Sequence, residues 1–169
     1  PHLLTDALTE KGMNIKATCT IAKTGWRTDQ MLAAAEDEIE DEKYEMVSLL
    51  IGVNNEFQGQ NPGDFEIEFI ECLNYALSHC KNGESGVFVV SIPDYGFTPY
   101  GESNQAAISA RIDQYNEICE RVAAENQVPF YNITPISRLG LEQPDLVASD
   151  GLHPSGKQYT KWVEEIINY

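Results

Sequence analysis

Val87-Phe88-Val89-Val90-Ser91-Ile92 is a continuous apolar run, and such a run predicts a strand that is buried on both faces. Residues 46–51 have the same character, and shorter β-rich segments lie at residues 15–22 and 128–133. The patterns between these segments predict helices over residues 2–12, 28–41, 61–80, 103–126 and 155–167, and a short helix that starts at Thr134-Pro135. Helices that alternate with continuous apolar strands are typical of an α/β fold with a mostly parallel sheet.

Length and charge limit the classes of protein that fit. A chain of 169 residues is expected to form one domain. Its 27 acidic and 11 basic residues give a net charge of −16, which argues against nucleic acid or an anionic membrane surface as a partner. No apolar run is long enough to span a bilayer. The oligomeric state stays open, and so does the compartment: a soluble protein of the cytoplasm, or a secreted one whose leader has been removed.

Neither the cysteines nor the acidic run predicts a metal site. The four cysteines are Cys19, Cys72, Cys80 and Cys119; they form no Cys-x-x-Cys pair, and buried free thiols are predicted. The acidic run at residues 36–42 has no second ligand type nearby, so a solvated helix face is expected there. We therefore expect no metal site.

A carboxylate and an imidazole lie three residues apart in Ser149-Asp150-Gly151-Leu152-His153-Pro154. A turn of that length can let the carboxylate accept from one ring nitrogen and leave the other nitrogen free as a proton acceptor. Ser155 and Gln158 fit a capping box, which would hold this loop at the start of the last helix. The alternative is a surface loop with an incidental histidine, because Asp-x-x-His alone is a weak pattern.

Three loops follow predicted strands or β-rich segments, at residues 23–27, 52–57 and 93–101. Functional loops of parallel sheets leave the carboxyl ends of the strands, so we expect these loops and the Asp150 loop to meet at one edge. Gly25 offers an accessible backbone N–H, and Asn54 offers a side-chain amide. Two such donors beside a carboxylate–imidazole pair would suit an oxyanion hole for acyl transfer.

The sequence resembles the SGNH hydrolases, also called GDSL-type esterases and lipases. Thr24-Gly25-Trp26 resembles the block with the oxyanion glycine, and Gly52-Val53-Asn54-Asn55 the Gly-x-Asn-Asp block with the oxyanion asparagine. Asp150-Gly151-Leu152-His153-Pro154 matches the Asp-x-x-His-Pro block that carries two triad members. Ser91-Ile92-Pro93-Asp94-Tyr95-Gly96 resembles a strand and loop found in many members. The resemblance implies a three-layer, flavodoxin-like α/β/α sandwich over residues 1–169.

Two departures from the family pattern stand out. Asn55 occupies a position where aspartate is usual, and we expect a changed local hydrogen bond there. The Gly-Asp-Ser block, which carries the nucleophilic serine on the loop after a central strand, does not occur in the 169 residues. We expect that strand, loop and serine in a segment of roughly 20–35 residues upstream of Pro1, because a sheet without a central strand leaves backbone groups unpaired.

The resemblance implies an ester hydrolase that works through an acyl-enzyme and needs no metal or organic cofactor. In this interpretation Asp150 and His153 are catalytic, and Gly25 and Asn54 form the oxyanion hole. The expected substrate is a small-molecule ester, such as an acetyl or carbohydrate-linked ester or a lysophospholipid. Four residues are expected to contact it: Trp26, Asn55, Phe57 and Tyr95. The alternative is a non-catalytic glycan- or ester-binding protein with the same fold; a flavodoxin-like carrier fits less well, because the residue 24–28 loop has one glycine and a bulky tryptophan.

Overall fold

A computed structural model describes residues 1–39 and 41–168. By their contacts these residues divide into two compact units. The sheet unit comprises residues 21–93, apart from residue 40, and 109–132; the terminal unit comprises residues 1–20, 94–108 and 133–168. The single domain expected from the length of the chain remains a prediction.

The sheet unit contains three parallel strands in the order β1 (Val47–Leu49), β2 (Val87–Val90) and β3 (Phe130–Tyr131). Val47 pairs with Val87, and Val89 pairs with Phe130. All four residues of β2 are buried, as the continuous apolar run predicts for a strand covered on both faces. The predicted α/β class with a parallel sheet is confirmed.

The numbered helices, in chain order, are α1 (His2–Glu10), α2 (Thr28–Glu38), α3 (Val53–Phe57), α4 (Pro62–Ser78), α5 (Gln105–Glu125), α6 (Thr134–Ser137) and α7 (Gly156–Asn168). In the sheet unit, α4 packs on both β1 and α2. Asn61 caps α4, because its side-chain oxygen accepts from the N–H of Gly63 at 2.8 Å. In the terminal unit, α7 packs on α1, on α6 and on the turn at Pro144–Leu146.

Gly52 lets the chain turn from the segment after β1 into α3. Its φ of 124° is rarely accessible to residues with a side chain, and a Cβ there would lie 2.6 Å from Cδ1 of Ile92 and 2.9 Å from Cε2 of Phe65. The close approach of this backbone to two buried side chains therefore requires glycine. It fixes where α3 begins and, with it, the position of Asn54.

Several local predictions are wrong. Residues 15–22 form no strand, because none of their backbone pairs with a strand among the described residues. The helix predicted over residues 28–41 begins at Thr28 but ends at Glu38; Arg27 precedes it, and its N–H donates to Gln30 Oε1. Cys19 is exposed, whereas Cys72, Cys80 and Cys119 are buried, and all four are free thiols.

Two further predictions concern polar segments. The residue 52–57 loop is the short helix α3, so Asn54 lies on a helix. The acidic run at residues 36–42 begins in α2, which ends at Glu38, and Glu40 lies outside the described residues.

Candidate active site

Asp150 and His153 form a direct pair in the terminal unit. Asp150 Oδ2 lies 2.7 Å from His153 Nδ1. The second carboxylate oxygen, Oδ1, accepts from the backbone N–H groups of Leu152 and His153, each at 3.0 Å. Within the described residues His153 Nε2 makes no hydrogen bond, and the imidazole is 58% exposed. The pair therefore has the geometry of an oriented base whose free nitrogen is accessible.

Backbone hydrogen bonds hold the loop that carries this pair. The N–H of Ala148 donates to the carbonyl of His153 at 2.8 Å, and the N–H of Tyr100 donates to the carbonyl of Gly151 at 3.0 Å. Beyond the loop, Ser155 Oγ donates to the carbonyl of Asp145 at 2.6 Å and accepts from the N–H of Gln158 at 3.3 Å. Only this half of the predicted capping box forms, because the Gln158 side chain donates to the carbonyl of Leu146 instead.

The hydrogen bonds to Asp150 favour its charged form. The backbone N–H groups of His153 and Leu152 are the largest causes, followed by the His153 side chain, and together they lower the pKa of Asp150 to about 2. The carboxylate is therefore ionised at neutral pH. An ionised acceptor at Nδ1 holds the proton of a neutral imidazole on that nitrogen and leaves the lone pair on Nε2.

Gly25 and Asn54 lie on adjoining segments of the sheet unit. Asn54 Nδ2 donates to the carbonyl of Trp26 at 3.0 Å, and one of its two N–H groups remains for another acceptor. Gln58 Nε2 donates to the carbonyl of Gly25 at 3.2 Å. Gly25 is exposed with a φ of 86°, and its N–H makes no hydrogen bond within the described residues. Two accessible donors are thus present on one side of α3.

Asn55 has no exposed surface. Its Oδ1 accepts from the N–H of Thr28 at 3.2 Å, and its Nδ2 donates to Thr28 Oγ1 and to Gln60 Oε1, each at 2.5 Å. These are the hydrogen bonds that asparagine makes at the position where aspartate is usual in the family. They favour a supporting role for Asn55 over the substrate contact that the sequence suggested.

The aromatic side chains on the predicted loops differ in exposure. Phe57 and Tyr100 are 49% and 56% exposed, whereas Trp26, Tyr95 and Phe97 are half-buried. Their contact with a substrate stays a prediction.

A cavity of about 300 Å³ lies beside the Asp150 loop in the terminal unit. Ser149 and Gly151, the two neighbours of Asp150 in the chain, form part of its wall. The remaining lining residues are mostly apolar: Pro99, Gly140, Leu141, Pro144, Val147 and Ala148.

Sequence reasoning missed the polar residues that hold the site loops. In the terminal unit, the carboxylate of buried Asp94 accepts from Arg138 Nε at 2.9 Å and from the N–H of Gly96 at 2.8 Å, and so fixes the loop that carries Tyr95. In the sheet unit, buried Glu56 pairs with Arg111 at 2.5 Å. Most partners are more than forty residues apart, so no local pattern could reveal them. No group of three or more histidine, cysteine or acidic residues within residues 1–39 and 41–168 could hold a metal ion.

A family model described as GDSL-like Lipase/Acylhydrolase matches residues 1–161. No curated protein matches the sequence. In the part of the chain that the structure describes, no helix has the length and apolar character needed to cross a membrane.

Solved structures of esterases share the fold. A lipase/acylhydrolase from Enterococcus faecalis has a TM-score of 0.77 at 18% identity, over 99% of this chain and 82% of that chain. The acetyl xylan esterase AlAXEase has a TM-score of 0.75 at 16% identity, over 99% and 88%. An acetylxylan esterase from Geobacillus stearothermophilus has a TM-score of 0.67 at 18% identity, over 85% and 67%. At these identities the likeness shows the fold.

Proposed function

The chain belongs to the GDSL-like lipase/acylhydrolase family, and we propose that it hydrolyses small esters through an acyl-enzyme, with His153 as its base and Asp150 as the carboxylate that orients it. One observation carries this proposal: the 2.7 Å contact between Asp150 Oδ2 and His153 Nδ1, with Nε2 left accessible. A carboxylate fixed by two backbone N–H groups orients the imidazole and stabilises the imidazolium that forms when Nε2 takes a proton.

In the proposed reaction a serine hydroxyl attacks the ester carbonyl while His153 Nε2 accepts the hydroxyl proton. The new C–O bond makes a tetrahedral oxyanion, which the N–H of Gly25 and the free N–H of Asn54 stabilise. The bond to the alcohol then breaks, and Nε2 returns the proton to the departing alkoxide. Water, deprotonated by the same nitrogen, then attacks the acyl carbonyl; the C–O bond to the serine breaks, the acid leaves, and Nε2 returns the proton to the serine oxygen.

The nucleophile belongs to the proposal as well. None of the serines in the 169 residues lies in a Gly-Asp-Ser block. Ser149 is exposed next to Asp150, but adjacency does not supply the sharp turn that presents a hydroxyl to the imidazole. We assign the nucleophile to a serine outside these residues.

Esters of small acyl groups are the proposed substrates. Two proteins with the same fold are acetylxylan esterases by name, which is consistent with an acetyl ester. Trp26, Phe57 and Tyr95 are the proposed contacts for the rest of the substrate. Phe57 is the most exposed of the three and therefore the best placed to meet a ligand from solvent.

The missing Gly-Asp-Ser block favours one second candidate. If the natural protein has no nucleophilic serine, the Asp150–His153 pair and the Gly25–Asn54 donors remain as polar groups that can bind an ester or glycan without turnover.

Labelling with a fluorophosphonate, which reacts with activated serines, tests the proposal. The natural protein in full is treated with the probe, and the labelled peptide is identified by mass spectrometry. We expect one labelled serine outside the 169 residues, labelling that requires His153, and no effect of the control Ser149→Ala. Label on Ser149 would refute the assignment of the nucleophile, and an unlabelled protein would favour the binding candidate.

A further inference from the structure

Four polar side chains of the sheet unit converge beneath the loop that carries Gly25. They come from three helices and a connecting loop: Thr28 on α2, Asn55 on α3, Gln60 between α3 and α4, and Glu68 on α4. Thr28 and Asn55 have no exposed surface, and Gln60 and Glu68 are half-buried. None of the four belongs to the reacting groups proposed above.

Glu68 is the common acceptor of this cluster. Its Oε2 accepts from the Thr28 hydroxyl and lies 3.4 Å from Asn55 Nδ2, and its Oε1 accepts from Gln60 Nε2 at 2.6 Å. Gln60 in turn accepts from Asn55 Nδ2 at 2.5 Å. The carboxylate therefore receives donors on both oxygens, and the amide of Asn55 points its donor end toward that negative charge.

The cluster connects directly to the proposed oxyanion donors. Asn55 Oδ1 accepts from the N–H of Thr28, three residues after Gly25, and the neighbouring Asn54 donates to the carbonyl of Trp26. The residue 25–28 segment is thus bound to α3 at two points. The side chain of Asn55 can accept from Thr28 only while its Nδ2 end is turned toward Glu68.

We infer that Glu68 is a positioning residue for the oxyanion hole, and that Asn55 and Glu68 act as a coupled amide–carboxylate pair. This inference rests on the proposed function for its catalytic consequence, although the coupling itself does not. An aspartate at position 55 would place two carboxylates about 3.4 Å apart, would leave Gln60 Oε1 without its donor, and would leave Glu68 Oε2 with only the Thr28 hydroxyl. A glutamine at position 68 would restore a donor opposite that aspartate.

The test is a double-mutant cycle of Asn55→Asp and Glu68→Gln, read by hydrogen exchange of the Thr28 amide. Each single change is expected to speed this exchange about tenfold or more, because it removes the contact with the half-buried Glu68 carboxylate that holds Asn55 Oδ1 at the Thr28 N–H. The double variant is expected to return to within about threefold of the parent. Glu71→Gln, an exposed glutamate on the same helix, is the control and should change nothing.

A second readout separates positioning from general stability. In the natural protein the single variants should lower kcat with little change in KM for p-nitrophenyl acetate, because the oxyanion exists only in the transition state. Two results would overturn the inference. One is an unchanged exchange rate of the Thr28 amide in Glu68→Gln. The other is a double variant in which the rate increases of the two single variants simply multiply. If Asn55→Asp does not fold, Glu68→Gln alone decides by the same exchange. Loss of the proposed function would instead appear as hydrolysis that does not depend on His153, with the exchange cycle intact.

Discussion

Removing the guanidinium of Arg111 should destabilise the protein through Glu56. The Glu56 side chain has no exposed surface, its Oε1 lies 2.5 Å from Arg111 Nε, and its Oε2 has no hydrogen-bond partner among the described residues. Arg111→Met keeps an unbranched side chain and removes the charged guanidinium. The change leaves a buried carboxylate without a counter-charge at the helix that also carries Asn54.

The expected loss follows from the exposure of the two partners. Breaking a fully buried ion pair from one side costs about 3–5 kcal/mol. Arg111 is 47% exposed, so solvent already screens part of the interaction, and we expect a loss of about 2–3 kcal/mol in the free energy of unfolding. For a chain of this size, that corresponds to a fall in Tm of roughly 4–12 °C.

Urea unfolding followed by circular dichroism measures the loss, and two variants control it. Arg121→Met removes an arginine of the same helix with similar exposure, 46%, whose partners Glu66 and Glu125 are themselves partly exposed, so its midpoint should shift much less. Glu56→Gln combined with Arg111→Met should recover part of the stability, because no buried charge is then left alone. Equal midpoints for the Arg111 and Arg121 variants would refute the reasoning.

Three further changes have definite outcomes. Gly52→Ala forces a Cβ to 2.6 Å from Ile92 at a φ of 124° and should cost about 2–4 kcal/mol in thermal unfolding; a smaller loss would mean that the backbone relaxes. The carboxyl carbon of Asp150 should titrate near pH 2 in NMR spectra, because hydrogen bonds in the folded loop lower its pKa from 3.8 to about 2. The stabilisation from this carboxylate is therefore present above pH 3.8 and is lost as the pH falls through about 2. A midpoint near 3.8 would contradict the loop geometry. Iodoacetamide should modify exposed Cys19 in the folded protein, whereas Cys119, whose pKa is raised by burial, should react only after unfolding.

The elements with strong local signals could be predicted from the sequence. The run at residues 87–92 contains β2, and Asn61-Pro62 begins α4, because burial of a continuous apolar run and capping are local effects. The strand expected at residues 15–22 failed for a non-local reason. Its residues favour extended backbone, but a strand also needs a paired neighbour, and no described strand pairs with it.

In the candidate site, too, local contacts could be predicted from the sequence and long-range contacts could not. Asp150 and His153 are three residues apart, so their contact follows from a tight turn that the sequence displays. Thr28 begins a helical pattern, and nothing in that pattern indicates that its hydroxyl donates to Glu68, forty residues away. Buried polar partners of this kind are selected by tertiary packing, and residue spacing carries no signal for them.

The rate of p-nitrophenyl acetate hydrolysis by the natural protein, compared with its His153→Ala variant, tests the central claim most directly. An imidazole that carries the proton between serine, alcohol and water should account for a loss in kcat/KM of about a thousandfold or more. The variant should keep the parent's urea midpoint, since the His153 side chain is 58% exposed. Equal rates for the two proteins would contradict the assignment of His153 as the base of an acyl transfer and of Asp150 as the carboxylate that orients it.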